Sequence, residues 1–231
     1  MEKERLSPSF LLLEGYKNIY SIIDQYDQNS TTIGLVNMDT KTLKRINVPQ
    51  LQKLKEFRTE FSDGKGHVSN IPIVSTYFWK DRILIGNNIF NEVLIYDPSS
   101  NSITEKTFES KLTPNQKIPR DKEKMGSVEE LMFESEKLNS QIDFKKLNWD
   151  PHTNRFYRLS SMLLPKSEGE IRYKANVFLT VFDDDLNMIG ETKVKGYTKP
   201  PVTSFFKDGA IWIHENVNDE LGFIRIKVLE K

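Results

Sequence analysis

The chain has 231 residues, with 33 Lys and Arg against 33 Asp and Glu, no Cys and 37% apolar residues. Zero formal net charge gives no bulk attraction for nucleic acid or an anionic membrane, and the lack of Cys excludes disulfides, thiolate nucleophiles and Cys-ligated zinc. The length suits one or two domains, and the apolar residues fall in alternating runs that a disordered chain lacks.

From the N-terminus, Met1-Glu2-Lys3-Glu4-Arg5 leads into a short apolar run at 10–13, too brief for a signal-peptide core or a membrane span. Alternation predicts strands at 18–24, 32–36 and 42–48. Leu51, Leu54 and Phe57 predict a weak helical turn within 50–66. Strands follow at 72–78 and 82–85 around the turn Trp79-Lys80-Asp81, then at 92–96 and 103–108. Residues 109–142 form a polar insertion. Within it Ser127-Val128-Glu129-Glu130 reads as a capping box, and Val128, Leu131, Met132, Ser135 and Leu138 as the stripe of one short helix. A third set of strands is expected at 144–149, 155–159, 176–182 and 188–194, with a turn over Asp150-Pro151-His152-Thr153-Asn154. A fourth is expected at 202–206, 210–214 and 222–229, turning at Lys207-Asp208-Gly209.

One turn signature recurs. Leu35-Val36-Asn37 through Leu43 aligns without gaps on Ile95-Tyr96-Asp97 through Ile103 and on Val181-Phe182-Asp183 through Ile189. In each, an Asn or Asp able to bond the backbone two residues on precedes a polar tip and a return strand, which predicts three hairpins of one design. A second echo links Phe78-Trp79-Lys80-Asp81-Arg82 with Phe205-Phe206-Lys207-Asp208-Gly209. The unit is strand a, short turn, strand b, loop, strand c, Asx turn, strand d. Four antiparallel strands per unit predict an all-β, β-propeller-type fold with about four visible blades, part of a larger propeller, carrying one helix-bearing insertion.

In such a unit the a–b and c–d turns lie at one end, the b–c loops and d–a connections at the other. The long segments are b–c (25–31, 160–175, 214–221) or d–a (49–69, 109–142), so length variation collects on one face. Variable loops on a rigid scaffold carry binding groups, and Arg120, Arg172, Tyr173, His214 and Asn216 are the candidate binding residues there. The catalytic motifs fail. Asp183, Asp185 and Asn187 open like an EF-hand, but Met188 and Val194 stand where Gly and the bidentate Glu are required. His67, His152 and His214 lack metal-ligand spacing. Neither a Gly-x-Ser-x-Gly elbow nor a phosphate-binding glycine loop occurs. No catalytic residue, metal or cofactor is therefore assigned. Glu129 and Glu130 read as a solvated helix face, and Trp79, Trp149 and Trp212 as sheet-packing residues rather than a sugar platform. Asn29-Ser30-Thr31 matches a glycosylation acceptor only formally.

Four segments carry a resemblance: Asn148-Trp149-Asp150-Pro151-His152-Thr153-Asn154-Arg155-Phe156-Tyr157-Arg158, then Phe182-Asp183-Asp184-Asp185-Leu186-Asn187-Met188-Ile189-Gly190-Glu191-Thr192, Phe206-Lys207-Asp208-Gly209, and the stretch 216–229. Over about 70–231 they resemble the C-terminal part of a Bacteroidota family of propeller-like proteins, domain of unknown function family 4221. The resemblance implies exported, lipoprotein-like relatives of the cell envelope, longer than this chain. This sequence departs from them in having no lipobox Cys and no signal segment. It reads as a single domain over 1–231, an N-terminally shortened relative or a chain completed by a second polypeptide, since an unpaired sheet edge is a liability. The family brings no catalytic residues. The leading reading is a non-enzymatic binding or scaffold module of the bacterial envelope with a protein or glycan ligand. The alternative is a propeller-fold hydrolase or lyase acting on glycans or peptides.

Overall fold

The computed structural model describes residues 4–13, 17–25, 30–121, 123–166, 173–217 and 220–228. The chain is all-β, built from successive antiparallel meanders in sequence order. The first sheet is β1 (Glu4–Leu13), β2 (Asn18–Gln25), β3 (Ser30–Asn37) and β4 (Thr42–Asn47). A 3-10 helix (Pro49–Phe57) and the small hairpin β5 (Thr59–Ser62) and β6 (His67–Asn70) lead to the second sheet: β7 (Val74–Trp79), β8 (Arg82–Asn87), β9 (Glu92–Asp97) and β10 (Ser102–Thr107). The insertion holds α1 (Val128–Ser140). The third sheet is β11 (Asp143–Asp150), β12 (Arg155–Leu163), β13 (Ala175–Phe182) and β14 (Met188–Lys193), and the last is β15 (Ser204–Lys207), β16 (Ala210–Val217) and β17 (Glu220–Lys227).

The Asx turns form as the sequence demands. Asn37 Oδ1 accepts the Thr40 N–H at 2.8 Å, Asp97 Oδ1 the Ser99 N–H at 2.9 Å, and Asp183 Oδ1 the N–H groups of Asp185 and Asn187 at 3.0 and 2.7 Å. Each loop then needs one left-handed residue, supplied by Lys41, Asn101 and Leu186. A fourth copy of this loop went unrecognised in the sequence. Asp150 accepts the N–H groups of His152 and Thr153, and Asn154 takes the left-handed position. The two Lys-Asp echoes are a different device: Lys80-Asp81 and Asp208-Gly209 are two-residue loops with both φ positive, the mirror-image turn that matches strand twist.

The chain divides into two compact units. The first comprises Met1–Asn87, Glu92–Lys106 and Pro119–Ser135. Within it β1 lies against β7, and β3 against the 3-10 helix. Leu51, Leu54 and Phe57 are all buried, and their three-residue spacing is the period of a 3-10 rather than an α-helix. Gly34 on β3 is compact by necessity, because a Cβ there would stand 2.6 Å from Ile23 Cδ1. The segment around Lys124 adds to β5, with Glu60 N–H donating to Glu123 O and Met125 N–H to Glu60 O.

The second unit comprises Asn88–Asn91, Thr107–Ile118 and Glu136–Lys231. Here β11 lies against β15. The core joins Tyr157, Leu159, Val177 and Leu179 of the third sheet to Ile211 and Ile213 of the last. The end of α1 is tied down by Gln141, whose amide both accepts the Ile118 N–H and donates to Ile118 O.

Several expectations are corrected. No strand was expected at the N-terminus, yet β1 pairs with β2 there, with a register irregularity between Leu6 and Phe10. The hairpin β5–β6 lies where only a connection was foreseen. The helix stripe is narrower than its periodicity suggested, since Leu131 and Leu138 are buried while Met132 is exposed. The long loop expected at 214–221 contracts to the link between Val217 and Glu220, which pair across it. The one at 25–31 contracts to the link between β2 and β3. The connection expected at 160–175 runs from the end of β12 at Leu163 to the start of β13 at Ala175, and its residues 167–172 lie outside the described ones.

Candidate binding face and charged clusters

On β16 the residues alternate. Ile211 and Ile213 point into the core, and Trp212, His214 and Asn216 point out. β15 does the same with adjacent aromatics: Phe206 turns inward to stack on Tyr157, while Phe205 faces out beside its cross-strand partner Trp212. β17 contributes Phe223 opposite His214 and Leu221 opposite Asn216. The outer face thus carries a connected aromatic cluster. Phe205 lies parallel to Trp212 with ring centroids 6.3 Å apart, Phe223 meets both edge-on at 5.7 and 6.3 Å, and His214 meets Phe223 at 6.1 Å. Arg225 stands over the indole at 5.8 Å. The indole N–H donates to Lys207 O at 2.9 Å, which anchors the ring at the turn. Leu221 is 73% and Phe223 43% exposed, so this apolar face meets solvent.

Two charged clusters are built inside the units. In the first unit, Lys53 of the 3-10 helix reaches Glu92 at 2.5 Å and Glu105 at 3.0 Å, while Asn87 donates to the other Glu92 oxygen. Burial raises the pKa of Glu92. Hydrogen bonds from Lys53 and Glu92 lower that of Glu105. In the second unit, Asp143 takes Lys117 and Asn88 on one oxygen and Lys145 on the other. Burial pushes Asp143 up, but the charges of Lys145 and Lys117 and the hydrogen bonds outweigh it and leave the carboxyl below its ordinary value. Arg158 is also buried. It donates to Asn91 Oδ1, and its guanidinium stands 5.0–5.4 Å from the rings of Phe108, Phe144 and Phe182. Burial pushes its pKa down to about 9. Among the described residues no three His, Asp or Glu side chains converge to hold a metal ion.

The sequence-predicted residues separate. His214 and Asn216 share the outer face of β16, inside the strand rather than on a loop. Tyr173 follows the long b–c loop and donates to Glu136 of α1 at 2.8 Å. Arg120 belongs to the first unit, where it donates to the Glu56 carbonyl at the end of the 3-10 helix and lies 3.8 Å from Glu123, a structural tie. Arg172 lies outside the described residues. Phe205, Leu221 and Phe223 were missed. A signal was present for Phe205, because apolar residues on both parities of 204–213 mark a sheet with two apolar faces. Trp212 is half-buried and packs within its sheet against Phe205 and Phe223 on the outer face.

The fold and this face define an all-β protein of consecutive antiparallel meanders. The family model for a domain of unknown function, DUF4221, matches residues 8–193, and the chain belongs to that family. The match includes the first sheet, which the expected span of 70–231 left out, and stops at the end of β14. No curated protein matches the chain. Among solved structures it is similar to a DUF4221 family member from Bacteroides vulgatus, at 18% identity and a TM-score of 0.62 over 95% of this chain. The chain spans 63% of that relative's length. Among the described residues no helix is long and apolar enough to cross a membrane.

Proposed function

We propose that the protein is a propeller-type, non-enzymatic binding or scaffold module of the cell envelope, and that its binding face is the outer surface of β15–β17. The observation that carries this is the exposed aromatic cluster of Phe205, Trp212 and Phe223 with Leu221 beside it. Aromatic anchors in an apolar patch are the residues that dominate protein–protein binding energy. The propeller reading is supported by the meander order and by β1 against β7 and β11 against β15, the adjacency of first strands that neighbouring blades require. The envelope setting rests on resemblance to the family's exported members.

The test is selection from a library of displayed ten-residue peptides on the immobilised protein. Apolar and aromatic sequences enrich, and their binding to Phe223→Ser weakens at least tenfold while the unfolding midpoint is retained. Failure to enrich any sequence above background overturns the assignment.

One observation favours the enzyme reading: Glu92 and Glu105 share Lys53 and have pKa values driven apart, the arrangement of an acid–base pair. Hydrolysis of a chromogenic glycoside or peptide substrate by the wild type, lost in Glu92→Gln, would support it.

A further inference from the structure

In the first unit one ammonium serves two carboxyls. Lys53, midway along the 3-10 helix, reaches Glu92 at the start of β9 at 2.5 Å and Glu105 on β10 at 3.0 Å. The Asn87 amide at the end of β8 donates to the remaining Glu92 oxygen at 3.1 Å. Glu92 is only 3% exposed, whereas Lys53 and Glu105 each keep about a third of their surface. The helix lies in the connection between the first and second sheets. It is held in two ways: Leu51, Leu54 and Phe57 are buried, and Lys53 ties it to the second sheet.

The cluster does not balance. With both carboxyls ionised it carries two negative charges against one positive, and part of the surplus falls on a buried group, where charge is costly. Among the described residues, Lys53 and Glu105 are the charged groups that act on Glu92, and Lys53 and Glu92 those that act on Glu105. Asn87, the third neighbour, is neutral. One proton brings the cluster to neutrality, with the Glu92 carboxyl donating to Glu105 and Lys53 holding both. A second proton leaves Lys53 without a counter-charge. Two carboxyls this close titrate as a pair.

We propose that this cluster is an acid-set clasp: uptake of one proton by Glu92 and Glu105 tightens the 3-10 helix onto the second sheet, and loss of that proton loosens it. The titration of each carboxyl agrees in direction. Burial raises the pKa of Glu92, and hydrogen bonds from Lys53 and Glu92 lower that of Glu105. The contribution of Glu92 is therefore complete below its unfolded value and lost as pH rises through the folded one. That of Glu105 is complete above its unfolded value and lost as pH falls through the folded one. Both are present together near the ordinary glutamate value, about pH 4.3. The helix is held best in mild acid.

Global unfolding also registers Asp143, which acts in the opposite direction on acidification, so the test reads the helix locally. Amide hydrogen exchange of the whole chain is followed from neutral pH down to about pH 4.3, each rate divided by the intrinsic rate at that pH. The reporters are the Leu51 and Arg58 N–H groups, which donate to Val48 O and Lys55 O at the two ends of the helix. Their protection is expected to rise about threefold or more on acidification. Glu92→Gln and Glu105→Gln each leave one carboxylate to match Lys53, and each abolishes the rise. Carbon-13 titration of the carboxyls identifies the proton: the Glu92 and Glu105 signals move together in the first step. Flat protection in the wild type overturns the clasp, and so does a rise that survives both substitutions. If one variant does not fold, the other decides. If neither folds, the wild-type carboxyl signals decide, since independent titration of Glu92 and Glu105 also overturns the clasp.

Discussion

Tyr157 of β12 and Phe206 of β15 lie face to face, ring centroids 4.6 Å apart and planes 16° from parallel. This stack joins the third sheet to the last within one core. Truncating Tyr157 to Ala removes a fully buried ring and is expected to cost about 3–5 kcal/mol. Phe206→Leu keeps an apolar side chain, somewhat smaller, but loses the stacking geometry, for about 1 kcal/mol. Urea unfolding of both variants and of the double variant would show coupling between the positions.

Arg158 makes a second test of the same unit. Its cation is met by three aromatic rings and the Asn91 amide oxygen, and among the described residues its Nε has no hydrogen-bond partner. A buried charge held this way is expensive, so an apolar residue of similar length serves nearly as well. Arg158→Met is expected to lie within about 1 kcal/mol of the wild type. Arg158→Ala, which leaves a cavity among the rings, is expected to lose about 2–4 kcal/mol. Chemical denaturation distinguishes the two.

Asp143 links stability to acid. Because its folded-state pKa is below its unfolded value, its contribution is complete above the unfolded value and is lost as pH falls through the lower folded one. The wild type should therefore lose stability below about pH 4. Asp143→Asn leaves the buried Lys117 without its counter-charge and is expected to cost about 3 kcal/mol at neutral pH. The gap should narrow as pH falls through the lowered folded-state value, where the wild-type carboxyl is protonated as well. Thermal unfolding from pH 7 to pH 3 reads the convergence.

The mirror-image turns give the mildest change. Asp81 holds φ 59°, and the corresponding position in the last sheet is Gly209 at φ 68°. Asp81→Gly is expected to stabilise by about 0.5–1 kcal/mol, or about 2 °C in Tm. Gly209→Ala meets open space but adopts a strained backbone, and is expected to cost about 1 kcal/mol. Differential scanning calorimetry would resolve both.

What the sequence by itself determined is local. Asn37, Asp97 and Asp183 close their turns through bonds to N–H groups two to four residues away, so their identity and spacing suffice to name the hairpins. Leu51, Leu54 and Phe57 announce a helical turn by spacing alone. The sequence could not reveal which face of a strand is left uncovered, because alternation states only that two faces differ. Phe205 and Phe206 are neighbours of one residue type, yet one stacks in the core and the other stands on an exposed face. His214 and Asn216 were placed on a loop because pairing between Val217 and Glu220 has no local signature. Arg120 became a tie because its partner, the Glu56 carbonyl, lies 64 residues away in the chain. Burial and pairing are set by what packs on a residue from distant segments, and that only the tertiary structure decided.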